Sequence, residues 1–600
     1  MSIEGSKITE LNGAQPHFKA TALNPPSHPE AYQRGFMPVD LLIRNAHILT
    51  QEASRPMATS LLIHDGKILD VDPDPALAGH ALQTIDAAGT TIVPGFNDVH
   101  SHSVWFGLGL MEANAGAAAS LEELYEIVAE AAAGKAPDEW VVASGFSPLL
   151  FDGRQPDRHR LDTAAGGRPV WIKHSSGHAC TLNGAALELV AARADLGAPI
   201  DGGLVVMGDD GLPTGLLEEN AMRLVQDILL PYPLETIERA LDLATSHYLS
   251  EGLTSVTDAG IAGGWIGYSP REFAAYLNAR DKGLLSVRMQ PMLVMDALHE
   301  VPGHVDDPDS KTLDAGIRTG LGDDWLRVGP VKIFSDGSLL GSTAYMTEDY
   351  VGCTHNHGYL QMDADQLRAS ALAAYRAGWA IAMHAIGDHA VDHAIDIITE
   401  AQENFGLNSQ PNRIEHGGVV RPEQLDRIAA AGIVLVPQPH FITEFGDGMA
   451  RLLGPKRTAW SYPGKSLLER GVTLPGSSDR PVSNGRPLDV MQSFVERLTP
   501  SGEVYGPHER ITAAEALAAY TTGSAAATGT GHIKGRLAPG YLADLVFLDQ
   551  DPTAVEPSNI SATRVLATMV GGQIRFGAEN LPAPARPADL EPALSGKETP

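Results

Sequence analysis

Cysteine is almost absent: 600 residues contain only two, Cys180 and Cys353. They lie far apart and neither belongs to a CxxC pair. A disulfide framework and a thiolate zinc site are both excluded, and a reducing, cytoplasmic setting is expected. Basic residues are scarce as well, with 43 Lys and Arg against 74 Asp and Glu and a formal net charge of −31. A phosphate backbone needs a basic face, so nucleic acid is not an expected partner. The acidity reads as solubility. No apolar run reaches membrane-spanning length, so no membrane partner is expected. The N-terminus has no basic stretch followed by an apolar core, so no secretory signal is expected there. What is present is globular composition, 43% hydrophobic and 20% charged, in a chain long enough for one large domain and a smaller one.

Residues 1–38 are polar and proline-rich and read as an N-terminal arm. Residues 39–92 read as short strands separated by the turns Asp65-Gly66 and Ala88-Gly89. Residues 535–577 have the same character. Two all-β pieces flanking a long middle predict one small β-sandwich domain built from both ends. The Pro-, Ala- and Glu-rich stretch 578–600 reads as a disordered tail.

Between them, residues 93–534 alternate strands with amphipathic helices such as DADQLRASALAAYRAG and RPEQLDRIAAAG. Eight candidate strands are TIVPGFND, LTSVTDAG, LSVRMQPML, LRVGPVKIFSDG, AIAMHAIGD, RIEHGG, IVLVPQPH and VTLPGSSD. The pattern predicts an α/β fold, a (β/α)8 TIM barrel with its site at the C-terminal strand ends. The excess over a minimal barrel lies at about 103–250. It reads as an insertion after the first strand that covers the mouth and carries extra strands at EWVVASGF and RPVWIKHSSGHA.

Polar residues gather at the predicted strand ends. PGFNDVHSH places His100 and His102 two apart, and i and i+2 on a strand face the same way. Later strands add Lys332 in VKIFSDGS, His384 in IAMHAIGD, His416 in RIEHGG and Asp479 in LPGSSD. Imidazole and carboxylate suit zinc and similar divalent metals. A lysine in an apolar strand is expensive to bury charged. Lys332 either pairs with Asp336 or another acid, or its ε-amine has added CO2 to form a carbamate able to bridge two cations.

This order of residues resembles the amidohydrolase superfamily, of the binuclear type seen in dihydroorotase and hydantoinase relatives. More narrowly it is similar to the amidohydrolase-3 or YtcJ-like group, which includes N-substituted formamide deformylases. The narrower likeness rests on PGFNDVHSH, SGHACTLNGAAL, VKIFSDGSLLGSTA, MHAIGDHAVDHA, RIEHGG, LPGSSDRPV and GRLAPGYLADLVFLD. It implies one or two divalent metals per chain, zinc foremost. His100 and His102 would hold one, His384 and His416 a second, and carboxylated Lys332 would bridge. Asp479 would contact metal and act as general base and acid. His178 would approach the substrate or its oxyanion; a plain loop histidine is the other reading. The sequence departs from the family at Asn97, at the extra Leu of DGSLLGSTA and at Arg480.

The implied activity is hydrolysis of a non-peptide C–N bond in a small-molecule amide, foremost a linear N-substituted amide or formamide. Cyclic-amide hydrolysis, deamination and a catalytically inactive scaffold are the alternatives; Lys332 argues against a deaminase. A homo-oligomer, a dimer, is expected. Trp105 and Phe106 are candidate substrate-wall residues, although such aromatics are often core. Arg480 is a candidate for an anionic substrate group. His355 and His357 repeat the HxH spacing in a loop, and His389 and His393 lie four apart on a helix. Neither pair is expected to bind metal.

Overall fold

The computed structural model describes residues 39–175, 179–200, 203–264, 266–303 and 309–582. β-branched and apolar runs, each ending at a polar turn, set the frame of the middle region. Seven parallel strands carry it: β1 Phe96–Ser101, β2 Leu253–Ile261, β3 Arg288–Leu293, β4 Val331–Phe334, β5 Ile381–Ala385, β6 Arg413–His416 and β7 Val434–Val436. They form two arcs, β1-β2-β3 and β4-β5-β6-β7, each in sequence order. A parallel bridge, Val294 to Lys332, joins the arcs at one side, and the chain leading into β4 lies along β3 through Arg327 N–H to the Met289 carbonyl (3.1 Å) and Gly329 N–H to the Pro291 carbonyl (2.9 Å).

The expected eighth strand is extended chain rather than a ladder strand. It lies along β1 through Val99 N–H to the Gly476 carbonyl (3.1 Å) and Asp479 N–H to the His100 carbonyl (2.7 Å). Among the described residues no ladder pairs it with β7. The expected first strand also divides. Thr91–Pro94 joins a flanking sheet and β1 begins at Phe96. Gly95 lies at the break, where its amide bonds the Asp544 carbonyl (2.9 Å) and a Cβ would sit 2.1 Å from the Thr254 hydroxyl oxygen.

Local chemistry sets the helices between strands. Ala364–Arg376 starts where the Asp363 carboxylate accepts the amides of Asp365 and Gln366. Pro422–Ala431 has proline in its first turn and ends at Gly432 with φ 63°. The helices bury their apolar faces on the strands, in one continuous core that includes Val256, Met289, Val331, Ile381, Ile398 and Ile414.

The ends of the described chain meet in one sheet. Its six strands include Thr91–Pro94, which pairs antiparallel with Leu545–Leu548. A second, four-stranded sheet comes from residues 39–86. The two share a core in which Ile43, Leu61 and Ile63 pack with Leu545, Phe547 and Met569. The 103–250 stretch forms its own six-stranded sheet, with Val141–Phe146 and Val170–His174 at adjacent positions. The middle of the stretch has its own core, where Phe146 stacks on Phe151 with ring centres 5.4 Å apart, while Val104, Leu108, Ile237 and Leu241 at its two ends pack in the core of the parallel strands. Among the described residues no helix is long and apolar enough to cross a membrane.

Candidate active site

The C-terminal ends of β1 and β6 and the extended chain beside β1 bring buried imidazoles and a carboxylate together. Ligand atoms of His100, His416 and Asp479 lie within 4.8 Å of one another. His102 Nε2 is 2.9 Å and His100 Nε2 3.4 Å from Asp479 Oδ1. His100 Nε2 and Asp479 Oδ1 are nevertheless buried with no hydrogen-bond partner among the described residues, and so is His102 Nδ1. Ligand atoms of His100, His416 and Asp479 thus converge on one spot, with His102 Nε2 against the Asp479 carboxylate. Orphaned buried polar atoms are rare and costly, and this donor set of imidazole nitrogen and carboxylate oxygen fits a divalent cation. The other His ring nitrogens are held from behind. His100 Nδ1 is 2.5 Å from Glu415, His384 Nδ1 2.9 Å from Asp336, and His416 Nδ1 2.8 Å from the Gln438 side-chain oxygen. The His384 and His416 rings are 4.5 Å apart.

Backbone conformation helps aim two of these residues. His416 has φ 75° and Asp479 φ 60°. Non-glycine residues seldom adopt that region, and such strain gathers at functional sites. On a regular strand Glu415 and His416 would face opposite ways. The left-handed turn at His416 frees it from that alternation.

Electrostatics follow from burial and neighbours. Burial alone would raise the Asp479 carboxyl, but the imidazoles of His100 and His102 hold it well below the usual range. Burial would likewise raise Glu415, and Arg413 and His100 hold it well below. Burial, with His384 and His100 beside it, holds the His416 imidazole well below its ordinary value. Asp98 accepts the His100 amide (3.0 Å) and the Ser478 hydroxyl (2.5 Å), and burial pushes its carboxyl up to about 6.

Lys332 is 1% exposed on β4, its amine 5.2 Å from the centre of the Phe334 ring. Burial lowers the amine to about 8. It makes no ion pair with Asp336 among the described residues. That carboxylate takes His384 Nδ1 and the amides of Tyr345, Ile386 and Gly387.

Two candidate substrate residues are placed elsewhere. Arg480 is buried, bidentate to Glu251 at 2.6 and 2.8 Å, and 4.6 Å above the Phe106 ring. Both terminal amino groups are engaged by Glu251, so the geometry opposes a role as receptor for a substrate anion. Phe106 stacks on Tyr248 with ring centres 5.7 Å apart, as core between helices Ser103–Met111 and Leu234–Ser250. Trp105 does border the cluster, half-buried and 5.9 Å from the His102 ring. His178 lies outside the described residues. His357 pairs with Asp349 at 3.3 Å, and His389 and His393 stack on Tyr345.

Sequence reasoning missed Arg413, Glu415 and Gln438 altogether, and saw Asp336 only as a partner for Lys332. Two charges at i and i+2 on a short parallel strand, a type buried on both faces, were the available signal for Arg413 and Glu415. Nothing in the sequence marks Gln438.

Comparison with known proteins identifies the family. Residues 83–576 match the amidohydrolase family. The chain belongs to the amidohydrolase family. As an amidohydrolase-family member it is a hydrolase acting on carbon–nitrogen bonds. It is 30% identical over 543 residues to the protein LONG AFTER FAR-RED 3 of Arabidopsis thaliana, covering 89% of this chain and 91% of that protein. It is 29% identical over 551 residues to the N-substituted formamide deformylase of Arthrobacter pascens, covering 90% of this chain and 98% of the enzyme. The crystal structure of an uncharacterized metal-dependent hydrolase from Pyrococcus horikoshii OT3 superposes with a TM-score of 0.70 at 25% identity, over 86% of this chain and 99% of that one. This amidohydrolase-family chain therefore has a TIM-barrel-like fold.

Proposed function

We propose that this chain hydrolyses a linear N-substituted amide, with N-substituted formamides as the substrate class. The observation that carries the reading is the convergence of buried ligand atoms of His100, His416 and Asp479 on one spot. The likeness to a formamide deformylase over nearly its whole length supports the substrate class. His100, His102, His384, His416 and Asp479 would hold divalent metal, zinc foremost, with Lys332 joining as a carbamate. A divalent cation held there supplies Lewis acidity, polarising a carbonyl oxygen and lowering the pKa of water. Asp479 takes the proton from the attacking water and delivers it to the leaving nitrogen, which departs poorly unless protonated. Formation of the carbamate joins the neutral Lys332 amine to CO2 and releases one proton. Trp105 supplies an apolar wall for the group on the amide nitrogen.

We read the parallel strands as a closed eight-stranded barrel within 93–534 and the flanking sheets, 39–92 with 535–577, as one sandwich domain. The shared core of the two flanking sheets supports the second point. The test of function is a screen of N-substituted formamides, acetamides, cyclic imides and esters with metal-loaded protein. Formamides turning over fastest is the expected result. Fastest turnover of a cyclic imide would replace this reading with cyclic-amide hydrolysis.

A further inference from the structure

Arg413 and Glu415 are two apart on β6 and both are fully buried. Glu415 Oε2 lies 2.5 Å from His100 Nδ1. Arg413 grips both oxygens of that carboxylate, Nε to Oε1 at 2.7 Å and Nη2 to Oε2 at 2.9 Å. The same Nη2 donates to the Val99 carbonyl at 2.7 Å, on the strand that carries His100. The contacts close a ring: β1 backbone to Arg413, Arg413 to Glu415, Glu415 to His100, and His100 back into β1.

We propose that the Arg413–Glu415 pair is the positioning device for His100: Glu415 fixes the proton on Nδ1 and turns Nε2 to the cluster, while Arg413 fixes Glu415. The inference rests on reading the cluster as a cation site. A carboxylate only accepts, so the ring nitrogen facing it carries the hydrogen. Nε2 is then the lone-pair nitrogen, and it is the atom that is buried and unpartnered. A carboxylate gripped at both oxygens by a guanidinium cannot rotate away, and its negative charge raises the donor strength of the imidazole it backs. His102 offers the contrast within the same cluster, because its Nδ1 has no such partner among the described residues. A buried ion pair is also a poor device for stability alone. Replacing both partners with apolar groups is often neutral or stabilising. A pair kept only for packing would therefore be exchangeable as a unit without consequence at His100.

That difference sets the test. The double variant Arg413→Met/Glu415→Leu leaves no unpaired buried charge. Zinc affinity is measured by chelator competition on folded protein, with thermal melting of the metal-free forms and the visible spectrum of the cobalt-loaded forms alongside. A positioning role predicts zinc binding weakened about 10- to 100-fold and a changed cobalt spectrum, while the metal-free melting temperature is kept or raised. Glu415→Gln, which keeps an acceptor and loses the charge, should weaken zinc binding about 10-fold, and it carries the test if the double variant does not fold. Wild-type zinc affinity in a folded variant overturns the positioning role and leaves the hydrolase reading intact. A wild-type chain that takes up no zinc overturns both.

Discussion

The two ends of the parallel strands bury charge in opposite ways. At the N-terminal end of β3, Arg288 meets Asp544 through two hydrogen bonds of 2.7 and 2.9 Å, and Asp544 also accepts the Gly571 amide. The remaining Arg288 amino group reaches the Asp324 carbonyl at 3.1 Å. Every charged atom there has a protein partner. At the C-terminal end, His100, His102 and Asp479 crowd together with ligand atoms left unpartnered. The first arrangement holds β3 to the flanking sheet and needs nothing further. The second gathers metal-ligating atoms of His100, His416 and Asp479 on one spot. Burial of charge is common to both, so burial alone does not mark a functional site. Convergence of several metal-ligating atoms on one spot does.

Substitutions should separate the two ends. The largest effect is expected at Asp479→Asn. Asparagine tolerates the left-handed backbone found there, so the fold should be retained. Turnover should fall about 10²- to 10⁴-fold from loss of the proton acceptor. Rates at full metal occupancy, with melting curves, check this, and near wild-type turnover would remove Asp479 from the mechanism. Asp544→Asn should do the reverse. It leaves Arg288 buried without its countercharge, a loss of about 3–5 kcal/mol in stability, while zinc affinity of the folded fraction stays at the wild-type value. Denaturant unfolding and chelator competition measure the two quantities, and an unchanged stability would break the contrast.

Lys332→Met sharpens the comparison from inside the site. An apolar side chain of similar size removes a buried amine, so stability should hold or rise by about 1 kcal/mol. Metal content and hydrolysis should be lost. Full metal content in this variant would contradict the bridging role proposed for Lys332. The smallest effect is expected at Trp105→Ala. The ring is half-buried at the margin of the cluster. Its loss should lower kcat/KM about tenfold for an N-benzyl amide relative to an N-methyl one, with a small change in melting temperature. Equal losses for both substrates would place Trp105 outside the substrate wall.

Much of the arrangement was legible in the sequence, for a physical reason. Apolar runs that stop at polar turns mark the later strands, and His384 and His416 lie at or near the C-terminal ends of β5 and β6; the ligand set itself came from the family resemblance. Partners remote in sequence were not legible. Arg480 reads as an available cation beside Asp479, but Glu251, 229 residues earlier, occupies it. Phe106 reads as a wall residue until Tyr248 is seen stacked on it. The backing of each imidazole was hidden for the same reason: Glu415 lies 315 residues from His100. Alternation also misleads where the backbone leaves the extended region, as at His416. The first predicted strand divides at Gly95 because its two halves pair with different sheets, which a run of β-branched residues does not reveal.

The most direct test of the central claim is the metal stoichiometry of the wild-type chain, coupled to activity on one N-substituted formamide. Protein stripped by chelator is titrated with zinc while binding and hydrolysis are followed together. The account predicts saturable uptake of one or two equivalents per chain, with hydrolysis appearing in step. Hydrolysis at full rate in the stripped protein, or no stoichiometric uptake, would contradict it.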